Sequence, residues 1–401
     1  MGELTSTEGD ITERAAAEPM LEQVLAWARV NSGSRNLGGL ERMAELLADA
    51  FSALPGVLRL ENPAPVETVD AAGKSVSIQH GRHLHLTVRP TAPVQLLFTG
   101  HMDTVFGADH AFQETRWLED GVLNGPGVTD MKGGLAVMLA ALKAVEKSRG
   151  AERVGYEVII NSDEEVGSPA SAALLAQAAA GKHAALTYEP AALPDGTLAG
   201  ARPGSGNFSF VVRGKSAHAG RNPEDGRNAI VAASELALRL AMSKPPGLTI
   251  NPAKIDGGGP NNVVPDLAIL RVNMRPKTTD DQEIAARLIA KALDETAKQH
   301  DVFIEAHGGF GRPPKPLTED AEALFQLVKN AGADLGQEIS WQPSGGVCDG
   351  NNIAACGVPV VDTMGVRGGK IHSMEEFLIV ESLAERAALS ALTVLRLAEA
   401  A

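Results

Sequence analysis

At 401 residues the chain exceeds what one hydrophobic core usually organises, so two domains are expected. Hydrophobic residues make up 44% and charged residues 21%, an ordinary balance for a soluble globular protein. The net charge of -14 argues against broad binding to a nucleic-acid backbone, which needs clustered Lys and Arg. Two cysteines, Cys348 and Cys356, make a disulfide framework a poor fit and lack the paired spacing of a structural zinc site. Met1 to Pro19 is polar and acidic, without the basic start and apolar core of a signal peptide, and no stretch has the length of a membrane span. A cytoplasmic protein is the expectation.

From Met20 to Leu54 apolar residues recur at helical spacing, and a Gly/Ser/Asn-rich stretch between Ser32 and Gly39 splits them into two helices. His83 to Val88 and Val94 to Phe98 read as strands. A helix follows Asp130, and Tyr156 to Asn161 and Leu186 to Tyr188 are further strands. Strands alternating with helices predict an α/β catalytic domain whose largely parallel sheet is covered by helices. The character changes at Pro203. Strands at Phe208–Gly214, Leu267–Met274 and Val302–His307 enclose helices at Asn228–Met242 and Gln282–Gln299. This predicts a smaller inserted α+β, ferredoxin-like domain over residues 203–312, with residues 1–202 and 313–401 forming the larger one.

The residues that carry chemistry follow strand ends. In Phe98-Thr-Gly-His101-Met-Asp103 a His and an Asp project beyond a strand, where open α/β sheets place their sites. Gly125-Pro-Gly-Val-Thr-Asp130 follows; Asp130 sits at a helix start, where an N-cap role is the plain alternative. A third strand ends in Asn161-Ser-Asp-Glu164-Glu165, either a solvated acidic turn or a cluster that needs cations. Glu189 follows a fourth strand in Thr187-Tyr-Glu-Pro190, and His372 lies in Gly369-Lys-Ile-His372-Ser-Met-Glu-Glu-Phe377. Together these side chains form a set of hard oxygen and imidazole ligands that suits zinc or a similar first-row ion. A carboxylate bridging two ions would allow a hydroxide to form between them, and a spare acid would accept its proton.

The chain resembles the di-zinc exopeptidase family that includes aminoacylase, acetylornithine deacetylase, succinyl-diaminopimelate desuccinylase and glutamate carboxypeptidase. The resemblance runs from about Met20 to the C-terminus. Asp163-Glu-Glu, Tyr188-Glu-Pro and Gly214-Lys-Ser-Ala-His-Ala-Gly220 are closest in style to the bacterial glutamate carboxypeptidase branch. The resemblance implies that His101 and Glu189 hold one Zn2+, that Glu165 and His372 hold the other (Co2+ or Mn2+ being possible replacements), and that Asp130 bridges them. It implies that Asp103 orients His101 and that Glu164 is the general base. Gly125-Pro-Gly departs from the Gly-Arg-Gly of many relatives but leaves Asp130 in place.

By the same resemblance, His218 belongs to a dimerising domain and stabilises the oxyanion in a partner's active site. Asn262 would contact substrate, and Arg275 would grip its α-carboxylate through a bidentate fork. Ser344-Gly-Gly346 could add backbone amides to that carboxylate, and Arg312 could serve a side-chain carboxylate of the departing residue. The implied activity is a homodimeric carboxypeptidase releasing a C-terminal residue, such as glutamate, from small peptidyl or N-acyl (folate-like) conjugates. An N-acyl-amino-acid deacylase is the alternative, and a non-catalytic binding protein of the same fold a third reading. No nucleic-acid or membrane partner is expected. His83 and His85 read as the solvated face of a strand, His80, His110, His183, His300 and His307 as histidines without partners, and both cysteines as buried small hydrophobes.

Overall fold

The computed structural model describes residues 4–400. They divide into two compact units. One contains the residues up to Ala64, Gln79–Ala201 and Leu317 onward; the other contains Pro65–Ile78 and Arg202–Pro316.

The larger unit is built on a six-stranded sheet in the order Val57–Glu61, His83–Val88, Val154–Asn161, Val94–His101, Ala184–Thr187 and Val360–Val361. Val94–His101 runs parallel to both of its neighbours, and Val360–Val361 continues the parallel set; His83–Val88 alone is reversed, pairing antiparallel with Val154–Asn161 on one side and Val57–Glu61 on the other. The alternation of a strand assigns each residue a face. Leu96, Phe98, Val158 and Leu186 pack into the main core with Leu135, Met138 and Leu142 of the helix Gly134–Glu146 and Leu389 and Leu392 of the helix Glu381–Ala400. Leu97, Ile159 and Ala185 face the other way, onto Leu175 of the helix Ala172–Ala179 and Ile353 of the helix Asp349–Ala355. Apolar residues on both faces are what a sheet covered on both sides demands. Three parallel strands end side by side, with His101 opposite Asn161 in register.

Two features depart from the sequence reading here. The polar N-terminal stretch contains a helix, Ser6–Ala16, closed by a capping box between Thr5 and Glu8, with Ile11 and Ala15 buried. Asp130 is not at a helix start: the helix begins at Gly134, and Asp130 has an extended backbone (φ -113°, ψ 91°). The N-cap role is therefore excluded. Gly134 has a packing reason to be glycine, since a Cβ there would stand 2.0 Å from the Tyr188 carbonyl oxygen.

The second unit carries a four-stranded antiparallel sheet in the order Leu248–Gly257, Leu267–Pro276, Ser205–Arg213 and Phe303–Arg312. The helices Ala229–Ser243 and Thr279–His300 cover one face, where Phe210, Val212, Leu270 and Met274 meet Leu236, Leu240 and Ile289. The chain order is β-α-β-β-α-β. Leu248–Gly257 is the strand that periodicity did not reveal. It is an edge strand with a bulge between Pro252 and Lys254, and most of its side chains are exposed, so it shows no apolar alternation. The opposite face packs Val211 and Ile269 against Val69. Val69 comes from a hairpin, Val66–Val69 with Ser75–Ile78, and Arg271 donates to its carbonyl at 2.9 Å. Residues 65–78 thus group with the second unit, although the expected boundaries placed them in the larger one.

Several minor readings are corrected as well. His83 is buried, not solvated, and His85 lies 2.6 Å from Glu157. His110 and His183 each accept a backbone N–H through Nδ1. Cys348 is buried, but Cys356 is exposed.

Candidate metal centre

Every acid and histidine singled out at the strand ends of the larger unit reaches one place. His101 terminates the strand Val94–His101, and its Nε2 lies 3.1 Å from Asp130 Oδ1 and 3.8 Å from Glu189 Oε2. Its Nδ1 lies 3.0 Å from the Asp103 carbonyl oxygen and 3.5 Å from Asp103 Oδ1. A proton on Nδ1 leaves Nε2 as the nitrogen that faces the carboxylates. Asp103 does more than face His101. Its Oδ1 accepts the Glu164 amide at 3.1 Å, and its Oδ2 accepts the Glu165 amide at 3.2 Å and the Ser34 hydroxyl at 2.7 Å. One carboxylate therefore ties the ends of two strands together.

From the C-terminal part of the chain, His372 brings its Nε2 to 3.2 Å from Asp130 Oδ2 and 3.1 Å from Glu165 Oε2. It adopts a left-handed backbone (φ 62°), a conformation that a non-glycine residue holds only when its surroundings impose it. The two oxygens of Asp130 thus face two different imidazoles. Two sets of ligand atoms lie within 4.8 Å of one another: those of His101, Asp130 and Glu165, and those of His101, Glu164 and Glu189. Of the seven residues, only His372 is substantially exposed.

The electrostatics are those of a site with too many acids for its protein cations. Burial, reinforced by the Asp130 charge, pushes Glu165 up to about 8. Burial also opposes ionisation of Asp130, yet hydrogen bonds from both imidazoles hold its carboxyl well below the usual range. His372 is raised to about 11 by its hydrogen bonds to Asp130 and Glu165. Burial works against charge on His101, but the Glu189 carboxylate and the hydrogen bonds to Asp103 and Asp130 outweigh it and raise its pKa well above the ordinary value. The donor set fits a pair of cations: hard oxygens and imidazoles converge, and protons occupy positions that cations would take.

Residues outside the quoted roles hold this arrangement. Asn161 donates to Asp349 Oδ2 at 2.7 Å and to Ser171 Oγ at 2.8 Å, and Ser168 also bonds Asp349. Ser171 and the Ala170 amide in turn bond Asp163. This buried network fixes the turn that carries Glu164 and Glu165. Glu376 likewise binds the loop that carries Asp130. Asn161, Asp163 and Glu376 stood in motifs whose other positions carried the reading, whereas Ser171 and Asp349 lay outside every motif and had no signal in the sequence.

His218, Asn262, Arg275 and Arg312 belong to the second unit. Ala217–His218 pairs with Val263–Val264, and the Ala219 amide donates to the Asn262 carbonyl, so His218 and Asn262 share one ribbon. His218 Nδ1 accepts the amides of Gly220 (3.1 Å) and Arg221 (3.2 Å), which puts the ring proton on Nε2. Arg275 lies on the strand Leu267–Pro276 with its Nε 3.2 Å from Asn273 Oδ1, and Arg312 is buried at the end of Phe303–Arg312. In the larger unit the Ser344 amide donates to the Ala201 carbonyl and the Gly346 amide to Ser344 Oγ.

Residues 97–396 match the model of peptidase family M20/M25/M40. The chain belongs to this family. Carboxypeptidase G2 of Pseudomonas sp. (strain RS-16) is 30% identical over 326 residues, covering 78% of this chain and 76% of the relative. Succinyl-diaminopimelate desuccinylase of Marinobacter nauticus is 25% identical over 311 residues, covering 72% and 79%. Among solved structures, a tripeptidase of Staphylococcus aureus superposes with a TM-score of 0.73 at 23% identity, covering 97% of this chain and 99% of the other. The resemblance read from the motifs and the α/β fold with its largely parallel sheet are both borne out. Family membership makes the chain a metal-dependent peptidase or hydrolase; the family's sites typically hold two metal ions. Among the described residues no helix is long and apolar enough to cross a membrane.

The proton balance gives a signed expectation for the metal-stripped protein. Glu165, ordinarily near 4.5, and His372, ordinarily near 6.5, both hold protons more tightly when folded. The His372 contribution is complete below its unfolded value and disappears as pH rises toward about 11. The Glu165 shift removes stability as pH climbs from 4.5 through about 8. Thermal unfolding after chelation should therefore show Tm falling steadily from pH 5 to pH 9; a Tm that rises across this range would contradict the assignment.

Proposed function

We propose that the protein is a two-zinc carboxypeptidase that removes a C-terminal amino acid, such as glutamate, from small peptidyl or N-acyl conjugates. The observation that carries the proposal is the placement of the Asp130 carboxylate between His101 and His372, with one oxygen toward each. His101 and Glu189 would hold one cation, Glu165 and His372 the other, and Asp130 both. When bound, the pair supplies Lewis acidity and eases the ionisation of water.

The chain's own groups account for the remaining chemistry. Glu164, buried beside this cluster, acts as general base, taking a proton from the attacking water and returning it to the leaving amine nitrogen. Asp103 keeps Nδ1 of His101 engaged, so that Nε2 stays a ligand nitrogen. The Nε2 proton of His218 is the donor for the oxygen that gains negative charge. Arg275 provides the fork for the substrate's free carboxylate, with Asn262 as a further polar contact and Arg312 for a side-chain acid. The Gly346 amide, which now meets the Ser344 hydroxyl, would add a backbone donor to the free carboxylate. Similarity to carboxypeptidase G2 supports release of a C-terminal residue.

Similarity to a desuccinylase supports a second reading, in which a small acyl group leaves instead. A panel comparing N-acyl-glutamate and folate-like conjugates with acetylornithine separates the two: faster turnover of the conjugates is expected, and faster turnover of acetylornithine would overturn the preference. In the same assay Glu164→Gln should abolish turnover while metal content stays at the wild-type level. Undiminished turnover would refute the base.

We further propose that the protein is a cytoplasmic homodimer formed through the second unit, residues 203–312 being its dimerising domain. Leu248–Gly257 is a sheet edge, and Val231, Leu238 and Met242 lie exposed on the helix Ala229–Ser243. His218→Ala should lower turnover far more than metal content. Mixing it with a metal-site variant should restore partial activity in heterodimers; no recovery in verified heterodimers would show that His218 does not act across subunits.

A further inference from the structure

The stretch that supplies His372 also supplies Glu376, four residues later, and its surroundings give that side chain a defined task. Its neighbour Glu375 is exposed, whereas Glu376 is completely buried. Glu376 Oε1 accepts the amides of Thr129 (2.9 Å) and Asp130 (3.1 Å), and Oε2 accepts the amide of Gly127 (3.2 Å). Three amides of one irregular loop thus converge on a single carboxylate, as they would on a bound anion. Gly127 makes the convergence possible with a left-handed backbone (φ 72°).

The same two segments are joined at their edges. Asn124 Nδ2 donates to the carbonyls of Met374 (3.0 Å) and Glu376 (2.7 Å), and the Thr129 hydroxyl donates to the Phe377 carbonyl (2.7 Å). Phe377–Ile379 pairs with Val122–Asn124. An anchor of this kind would hold the two segments together without any carboxylate. What the carboxylate adds is control over where the backbone at Asp130 points. Burying it is expensive unless donors meet it, and here they do.

We infer that Glu376 is a positioning residue of the metal centre. By gathering the amides of Gly127, Thr129 and Asp130 it sets the backbone direction that presents Asp130 Oδ1 to His101 and Oδ2 to His372. It also makes the loop carrying the shared ligand and the segment carrying His372 a single rigid piece. The inference rests on the reading of Asp130 as the ligand common to both cations.

Glu376→Gln tests it, because the amide keeps size and one acceptor but sets an NH2 group against a backbone N–H. The readout is Zn2+ affinity of chelator-treated protein, measured by competition with a chromogenic chelator, alongside Tm, kcat and KM. Leu392→Ala, which opens a cavity in the core at the helix Glu381–Ala400 and removes none of the hydrogen bonds to Glu376, controls for lost stability. Glu376→Gln should weaken Zn2+ binding about 10–100-fold and lower kcat more than KM rises. Leu392→Ala should lower Tm and leave the affinity unchanged. Wild-type affinity in Glu376→Gln, or a loss no greater than in Leu392→Ala, would overturn the inference. If Glu376→Gln does not fold, Glu376→Asp is read in the same way, and failure of both to fold would overturn it by making Glu376 a folding residue. Failure of the unmutated protein to bind Zn2+ would instead refute the centre itself.

Discussion

The side chain on which the site turns is Asp130, a buried carboxylate with an imidazole nitrogen within about hydrogen-bond distance of each oxygen. One of those imidazoles ends a central strand; the other comes from a loop some 270 positions further on, by the residue numbers. Nothing in local propensity would bring them together. The protein spends tertiary structure on the problem: three parallel strands end at one level, a glycine-dependent loop turns Asp130 outward, and a strained backbone at His372 faces it. Around this axis Glu164, Glu165 and Glu189 gather, and burial together with the Asp130 charge raises the Glu165 carboxyl to about 8.

The acids and the first histidine were legible because parallel sheets expose the same place on every strand, the residues just past the carboxyl end. Reading where apolar runs stop was therefore enough to nominate His101, Asp103, Glu164, Glu165 and Glu189. His372 needed the motif around it, since no strand periodicity leads to it. Local pattern misled at Asp130, where an acid ahead of a helix suggested a cap; the irregular loop between Asp130 and Gly134 has no signature in hydrophobic spacing.

What stayed hidden shares a physical cause: it depends on partners distant in sequence. Leu248–Gly257 is an edge strand carrying a proline and exposed side chains, so burial imposes no alternation on it. The hairpin at 66–78 joins the second unit through Val69 alone in that apolar cluster, too little to register as a pattern. His83 looked solvated because alternation assigns faces without saying whether both are covered. Glu376 and Asp349 are acids whose importance lies in the amides and hydroxyls they collect, and those donors come from other segments. The converging acids and histidines could be read from residue type and position; Glu376 and Asp349 required the fold.

The shared role of Asp130 is measured most directly by the stoichiometry of Zn2+ binding to chelator-treated protein carrying Asp130→Asn, compared with the unmutated chain by calorimetry. Asparagine keeps the shape but removes the charge. Two equivalents bound by the unmutated chain and at most one, much weaker, in the variant is the predicted result. Two equivalents bound by the variant with unchanged affinity would contradict the shared role of Asp130.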